Sequence, residues 1–445
     1  MVAAALHNSS PTPRPIYFSW FLSSPEAAIG QETAWENVEL LDPTRGLVVG
    51  NGTIQTPYRF PLHKTKAVGN TDWSTEWKRL CARVGVLRNL PDLKFDMGLT
   101  GGKDSRMVLA GLLGSGVESH LRCVYLRADK EHPDAVVARH LCQHYGLPFE
   151  IRPTTSDDRP FLERLAIHNF LSEGSIHAWD LKIWETRDRV GSVHGCYGEI
   201  YRSHMKSFHR LGKRAVETYY RRNAYVDPLE LLCPNAREHI RGSVGSFIQE
   251  EIWNRDWPAA EAHELIYRSS RMQRWIGQTL GADSCGSLSI NPLISVSLLN
   301  RYLGLSRADK RDQRIHFELT RSLDDWLWRQ GFAGDHWPSR LIDRGTRMEA
   351  PNMANATGLG RQWRDWAAWS DDICAYLLRP DANFYAIFRR KSVEDWLKRA
   401  TSTGDHRALK TIFGLVGAKY AMTEKMTPHP VGVAPRESLE RRPDL

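Results

Sequence analysis

The chain predicts an α/β fold, a parallel sheet with flanking helices, and three observations carry that expectation. Apolar runs of strand length alternate with segments whose apolar residues recur at helical spacing; the first of these runs ends in a glycine-rich turn that opens straight into a helix; and a second glycine-rich turn follows a later strand. Strands joined by helices pair in parallel through right-handed crossovers, and such sheets take ligands beyond the carboxyl ends of their strands. A small β-rich segment (1–68) is expected ahead of the main domain (69–430), whose C-terminal part reads as mostly helical, and a Pro- and Arg-rich tail (431–445) follows.

Residues 16–66 read as β-rich: Ile16 to Phe21, Val38 to Leu41, Gly46 to Val49 and Thr56 to Phe60, separated by Pro, Gly and Asn turns. Trp73, Trp77, Leu80, Val84 and Leu87 repeat at helical spacing over 72–90 and lead into a strand around Phe95-Asp96-Met97-Gly98. Beyond the turn, Met107, Val108, Leu109, Leu112 and Leu113 mark a helix, Leu121 to Leu126 a second strand, Pro133 to Cys142 a second helix and Phe149 to Ile151 a third strand. A helical stretch over 161–190 ends at a fourth strand, Ser192-Val193-His194, and from 210 to 425 the pattern is mostly helical, broken at Pro234, Gly281 to Gly286, Pro338 and Pro380.

The 445 residues, 41% of them hydrophobic, suffice for two or three domains with real cores. A net charge of +8, spread out apart from a cluster between Arg202 and Arg222, suits an enzyme that handles polyanions and leaves RNA binding open. The seven cysteines are scattered and never spaced C-x-x-C, so neither a disulfide framework nor structural zinc is suggested, and a cytoplasmic setting is expected. No apolar run approaches the length of a membrane span, so no membrane partner is expected.

The most informative stretch is Leu99-Thr100-Gly101-Gly102-Lys103-Asp104-Ser105. Glycines let the backbone approach an anion, and the N–H groups at a helix start point at it. Neither GxxxxGK[ST] nor GxGxxG fits here. An ordinary strand-to-helix turn capped by Asp104 or Ser105 is the plain alternative. The run resembles the S-G-G-x-D-S pyrophosphate loop of the ATP pyrophosphatase (PP-loop) superfamily, with Thr100 in the first position. That resemblance implies ATP binding by residues 99–105, cleavage between the α and β phosphates, and Mg²⁺ held by Asp104.

The order of features extends the likeness. The pyrophosphate loop, the Pro133-Asp134…Ala138…Leu141 helix and the later turn Gly195-Cys196-Tyr197-Gly198-Glu199 resemble the synthetase domain of the asparagine synthetase family, whose second turn reads G-x-G-x-D-E and is one residue longer. Tyr267 to Trp275 and Ser289 to Ile294 look like its later helix and R-x-P-F-L-D region, without the final Asp. The resemblance implies that Gly195 lies at the nucleotide, that Glu199 joins Asp104 on the metal, and that Tyr197, possible partner Glu173, takes the proton of an attacking amine; a buried structural tyrosine and a solvated acid are the plain alternatives. It also implies a cation on the pyrophosphate, for which Lys310, Arg340, Arg344 and Arg347 carry the right charge and Lys103 and Arg106 flank the loop.

Glutamine-dependent members begin Met-Cys; here residue 2 is Val2, and glutamine hydrolysis is not expected. Segment 1–68 then reads as a remnant of the glutaminase domain or its replacement. Family members without that domain include β-lactam synthetases and lasso-peptide cyclases. The resemblance thus implies an ATP- and Mg²⁺-dependent ligase that adenylates a small-molecule or peptide carboxylate and joins it to an amine. Two alternatives stay open, a tRNA-modifying PP-loop enzyme and a non-catalytic relative.

Overall fold

The computed structural model describes residues 12, 14–23, 30, 32–36, 38–40, 45–50, 53–59, 72–125, 130–152, 190–203, 231–253, 264, 267–277, 288–334, 336–342, 361–403 and 406–423. The expected helix over 161–190 except its last residue, the Gly281 to Gly286 break, the tail, Glu173, Arg344, Arg347 and most of the basic cluster lie outside them.

Strands β1 (Arg45–Gly50) and β2 (Thr53–Arg59) form an antiparallel hairpin. Helix α1 (Trp73–Gly85), capped by Asp72 through Ser74 N–H, leads to β3 (Lys94–Gly98), α2 (Lys103–Gly114), β4 (Leu121–Tyr125), α3 (Pro133–His144), β5 (Phe149–Ile151) and β6 (Val190–Val193). A 3₁₀ turn, Cys196–Tyr201, follows β6; then come α4 (Pro234–Phe247), the short strand β7 (Ser289–Ile290), α5 (Val296–Gly304), α6 (Arg307–Arg311), α7 (Arg314–Arg321), α8 (Asp325–Arg329), α9 (Arg361–Leu378), α10 (Ala382–Ile387), α11 (Arg390–Thr403) and α12 (His406–Thr423).

Five of these strands form one parallel sheet in the order β5-β4-β3-β6-β7. The chain steps outwards from β3 through β4 to β5, returns to the far side of β3, and steps outwards again through β6 to β7. Its direction therefore reverses between β3 and β6, and the loops leaving their carboxyl ends diverge at that point. Open α/β sheets hold ligands in this crevice. The loop after β3 begins at Leu99, and the loop after β6 holds His194 and Gly195.

Alternation along β3 explains how the sheet is covered. Phe95 and Met97 are fully buried in a core shared with Leu80 and Val84 of α1, Val108, Leu109 and Leu112 of α2 and Val137 and Leu141 of α3. Asp96 projects to the other face, where Arg122 and Arg152 both donate to it. Burial opposes charge there, yet these hydrogen bonds hold the Asp96 carboxyl below its ordinary value.

A second core joins α4 and α9–α12 to the N-terminal 3₁₀ helix Pro15–Ser23. This corrects the expected strand at Ile16 to Phe21. Tyr17 and Phe18 are adjacent and both buried, as is Trp20, in one core with Val393, Trp396, Ile412 and Val416. Consecutive buried side chains are incompatible with a strand buried on one face only. The expected strand from Val38 is likewise reduced to an isolated bridge between Glu32 and Glu39. Among the described residues, no helix is long and apolar enough to cross a membrane.

Candidate functional site

The loop after β3 is folded on itself. Thr100 N–H reaches Ser105 Oγ (3.3 Å), the two hydroxyls lie 3.1 Å apart, and Gly102 N–H donates to Thr100 Oγ1 (3.2 Å). Leu99 is buried, its N–H donating to the Val124 carbonyl. Gly101 N–H donates to Asp134 Oδ1 at the start of α3 (2.9 Å), a partner whose part in the loop the motif alone does not reveal. Two amides expected to face phosphate, those of Gly101 and Gly102, thus have side-chain oxygens as acceptors, and so does Thr100 N–H. Gly102 caps α2 with no side-chain hydrogen bond, so the start of this helix takes no side chain from its own cap.

The second turn packs directly on the first. An ideal Cβ on Gly195 would come within 3.0 Å of the Asp104 and Ser105 backbone, and one on Gly198 within 2.4 Å of Asp104 Oδ1. Both glycines are needed for this approach. The turn presents Tyr197, Glu199 and Arg202. Arg202 forms an ion pair with Asp104 Oδ2, and His316 of α7, fully buried, bonds Asp104 Oδ1 through Nε2 (2.7 Å). Tyr267 donates to Glu199 Oε2. Burial pushes the Tyr197 phenol up to about 12, so it keeps its proton at neutral pH. Burial likewise lowers His194, one residue past β6, to about 4, and its ring contacts Ser192 Oγ (2.9 Å).

The flanking cations are turned away from the loop. Lys103 is buried, donates to the His336 carbonyl (2.9 Å) and lies over the Phe332 and Trp337 rings (5.4 and 5.0 Å). Arg106, expected at a phosphate or on the helix surface, is fully buried and donates to the carbonyls of Gln330 (2.6 Å) and Gly331 (2.7 Å). Ala333 N–H meets the Gly101 carbonyl (3.4 Å), so residues 330–334, with 336 and 337, form a strap across the loop. Of the more distant candidates, Lys310 is buried on Glu264 and Arg340 is paired with Asp309 and Asp312.

Asp104 and Glu199 offer the hard oxygen donors that Mg²⁺ takes, and the Gly198 packing brings their turns together, so the residue types fit a metal–nucleotide. Both carboxylates also have resident partners, and a cation at Asp104 competes with Arg202. Sequence reasoning missed Arg202, His316 and Asp134 as parts of this site. Arg202 was legible as the cation three residues past Glu199, whereas His316 sits on a helix 212 residues away in sequence. The weakly matching segment Ser289 to Ile294 does come to the second turn: β7 pairs with β6, and Tyr201 donates to the Leu293 carbonyl (2.5 Å).

No protein-family model matches the chain, and no curated protein matches it.

Proposed function

We propose that this protein is an ATP- and Mg²⁺-dependent amide-bond-forming ligase of the asparagine synthetase type, working without glutamine hydrolysis on a small-molecule or peptide substrate. The observation that supports it best is the meeting of two glycine-rich turns at the switch point of a parallel sheet, with Asp104 at their junction. In the reaction a carboxylate oxygen attacks the α-phosphorus, the bond to the bridging oxygen breaks, and pyrophosphate leaves. An amine then attacks the acyl carbon, AMP departs, and the ammonium proton passes to a base. The start of α2 would offer its N–H groups to the phosphates.

Asp104 and Glu199 would hold Mg²⁺, which compensates charge on the triphosphate when bound. Tyr197, protonated at neutral pH, acts as a hydrogen-bond donor, and the Glu199 carboxylate, which accepts from Tyr267, would be the acceptor for a proton. The test is nucleotide product analysis with Mg-ATP and pools of amino acids, carboxylic acids and peptides. Substrate-dependent AMP and pyrophosphate, lost in Asp104→Ala, support the ligase; ADP, or no turnover across the pools, refutes it.

The internally bonded loop favours one other reading, a non-catalytic relative, since Thr100, Gly101 and Gly102 N–H groups all have acceptors within the protein. ATP binding by calorimetry separates the two, because the non-catalytic form is expected to bind none.

A further inference from the structure

Asp104 is compensated by two side chains of unequal freedom. His316 is wholly buried on α7. Arg202 stands at the end of the second turn with 26% of its side chain exposed, and among the described residues its Nε is a buried donor without a hydrogen-bond partner. A guanidinium offers five N–H donors in a fork that matches phosphate oxygens. Here one arm meets a single carboxylate oxygen and the partly exposed side chain leaves the rest of the fork available to a richer acceptor.

Among the described residues, the other cations singled out by the sequence are engaged away from the Asp104 carboxylate, although Arg106 Nε too lacks a hydrogen-bond partner. Lys103 and Arg106 are buried on the strap carbonyls, and Lys310 and Arg340 are paired with acids of their own. Resting on the ligase reading above, we propose that Arg202 is the polyphosphate-binding cation of the site. It pairs with Asp104 in the nucleotide-free protein and transfers to the triphosphate when nucleotide enters, which leaves Asp104 to a hard cation. A polyphosphate outcompetes one carboxylate because it brings several negative charges and bidentate geometry. The exchange also ties two events together: Asp104 becomes available to metal only where phosphate is present to take Arg202.

The probe is inorganic pyrophosphate without divalent cation, titrated by calorimetry into the full chain, Arg202→Ala, Arg202→Lys, Asp104→Asn and the Arg202→Ala/Asp104→Asn double variant, each checked for a native unfolding transition. Arg202→Ala is expected to bind at least about tenfold more weakly, and Arg202→Lys to fall between it and the parent. Asp104→Asn is expected to bind more tightly than the parent, since Arg202 no longer has to leave a carboxylate, a gain that misfolding cannot mimic. That gain should vanish in the Arg202→Ala background. Equal tightening in both backgrounds, or undiminished binding by Arg202→Ala, overturns the proposal for Arg202 and leaves the ligase reading standing. If the parent protein binds neither pyrophosphate nor Mg-ATP, the ligase reading fails and this proposal with it.

Discussion

The two glycine-rich turns leave adjacent parallel strands at the same end of the sheet, yet they use glycine differently. In the first, Gly101 lets the strap around Ala333 close down, an ideal Cβ there falling 2.6 Å from Ala333 Cβ, and the loop amides are bonded inside the protein. In the second, Gly195 and Gly198 let the turn lie on Asp104 itself. The first turn is a closed cradle, and the second delivers Glu199 and Arg202 to its rim. A glycine motif therefore reports a close approach, and only the structure tells what is approached.

Gly198→Ala tests the second turn hardest. Its methyl would occupy space 2.4 to 2.7 Å from three Asp104 side-chain atoms, so Asp104 must shift and both Arg202 and His316 lose their acceptor. Overpacking together with a broken buried pair is expected to cost roughly 3 kcal/mol or more, read from urea unfolding. A variant as stable as the parent would show that the turn does not rest on Asp104.

His194, at the head of the same turn, supplies a pH signature. Its folded-state value of about 4 lies below the ordinary 6.5, so the native state binds fewer protons and the contribution is present in full above pH 6.5. As pH falls towards 4 up to about 3 kcal/mol is lost, somewhat less where solvent still reaches the ring. Burial moves His316 in the same direction. His194→Gln should therefore flatten only part of the acid limb of a stability–pH curve, and an unchanged limb would exclude His194 as its source.

In the first turn, Gly101→Ala is expected to cost about 2 kcal/mol through the clash with Ala333. Ala333→Gly should restore most of that loss in the double variant. If it does not, the strap is not what Gly101 accommodates.

The sheet strands β3 to β6 and helices α1 to α3 were legible because each carries one unbroken period, from Trp73 to Val84 or from Ala135 to Leu141. The N-terminal segment misled because an aromatic run such as Tyr17-Phe18 has high strand propensity, while its actual conformation is dictated by the helical core that receives it. Within the site, the loop and the second turn were readable as local motifs. The partners His316 and Ala333 were not, since they arrive from distant positions and look ordinary in their own stretches of sequence, and Asp134 was legible as part of a helix motif but not as the acceptor of the Gly101 N–H.

The smallest effect belongs to the hydroxyl pair of the first turn. Thr100→Val keeps the β-branched shape and removes the oxygen that accepts from Gly102 N–H and contacts Ser105 Oγ. A net loss of about 1 kcal/mol is expected, and Ser105→Ala should cost a similar amount. Because both variants delete the same contact, the double variant should cost less than the sum. Strict additivity would mean that the hydroxyls act separately, and the closed cradle would then be held by Asp134 and the strap rather than by its own side chains.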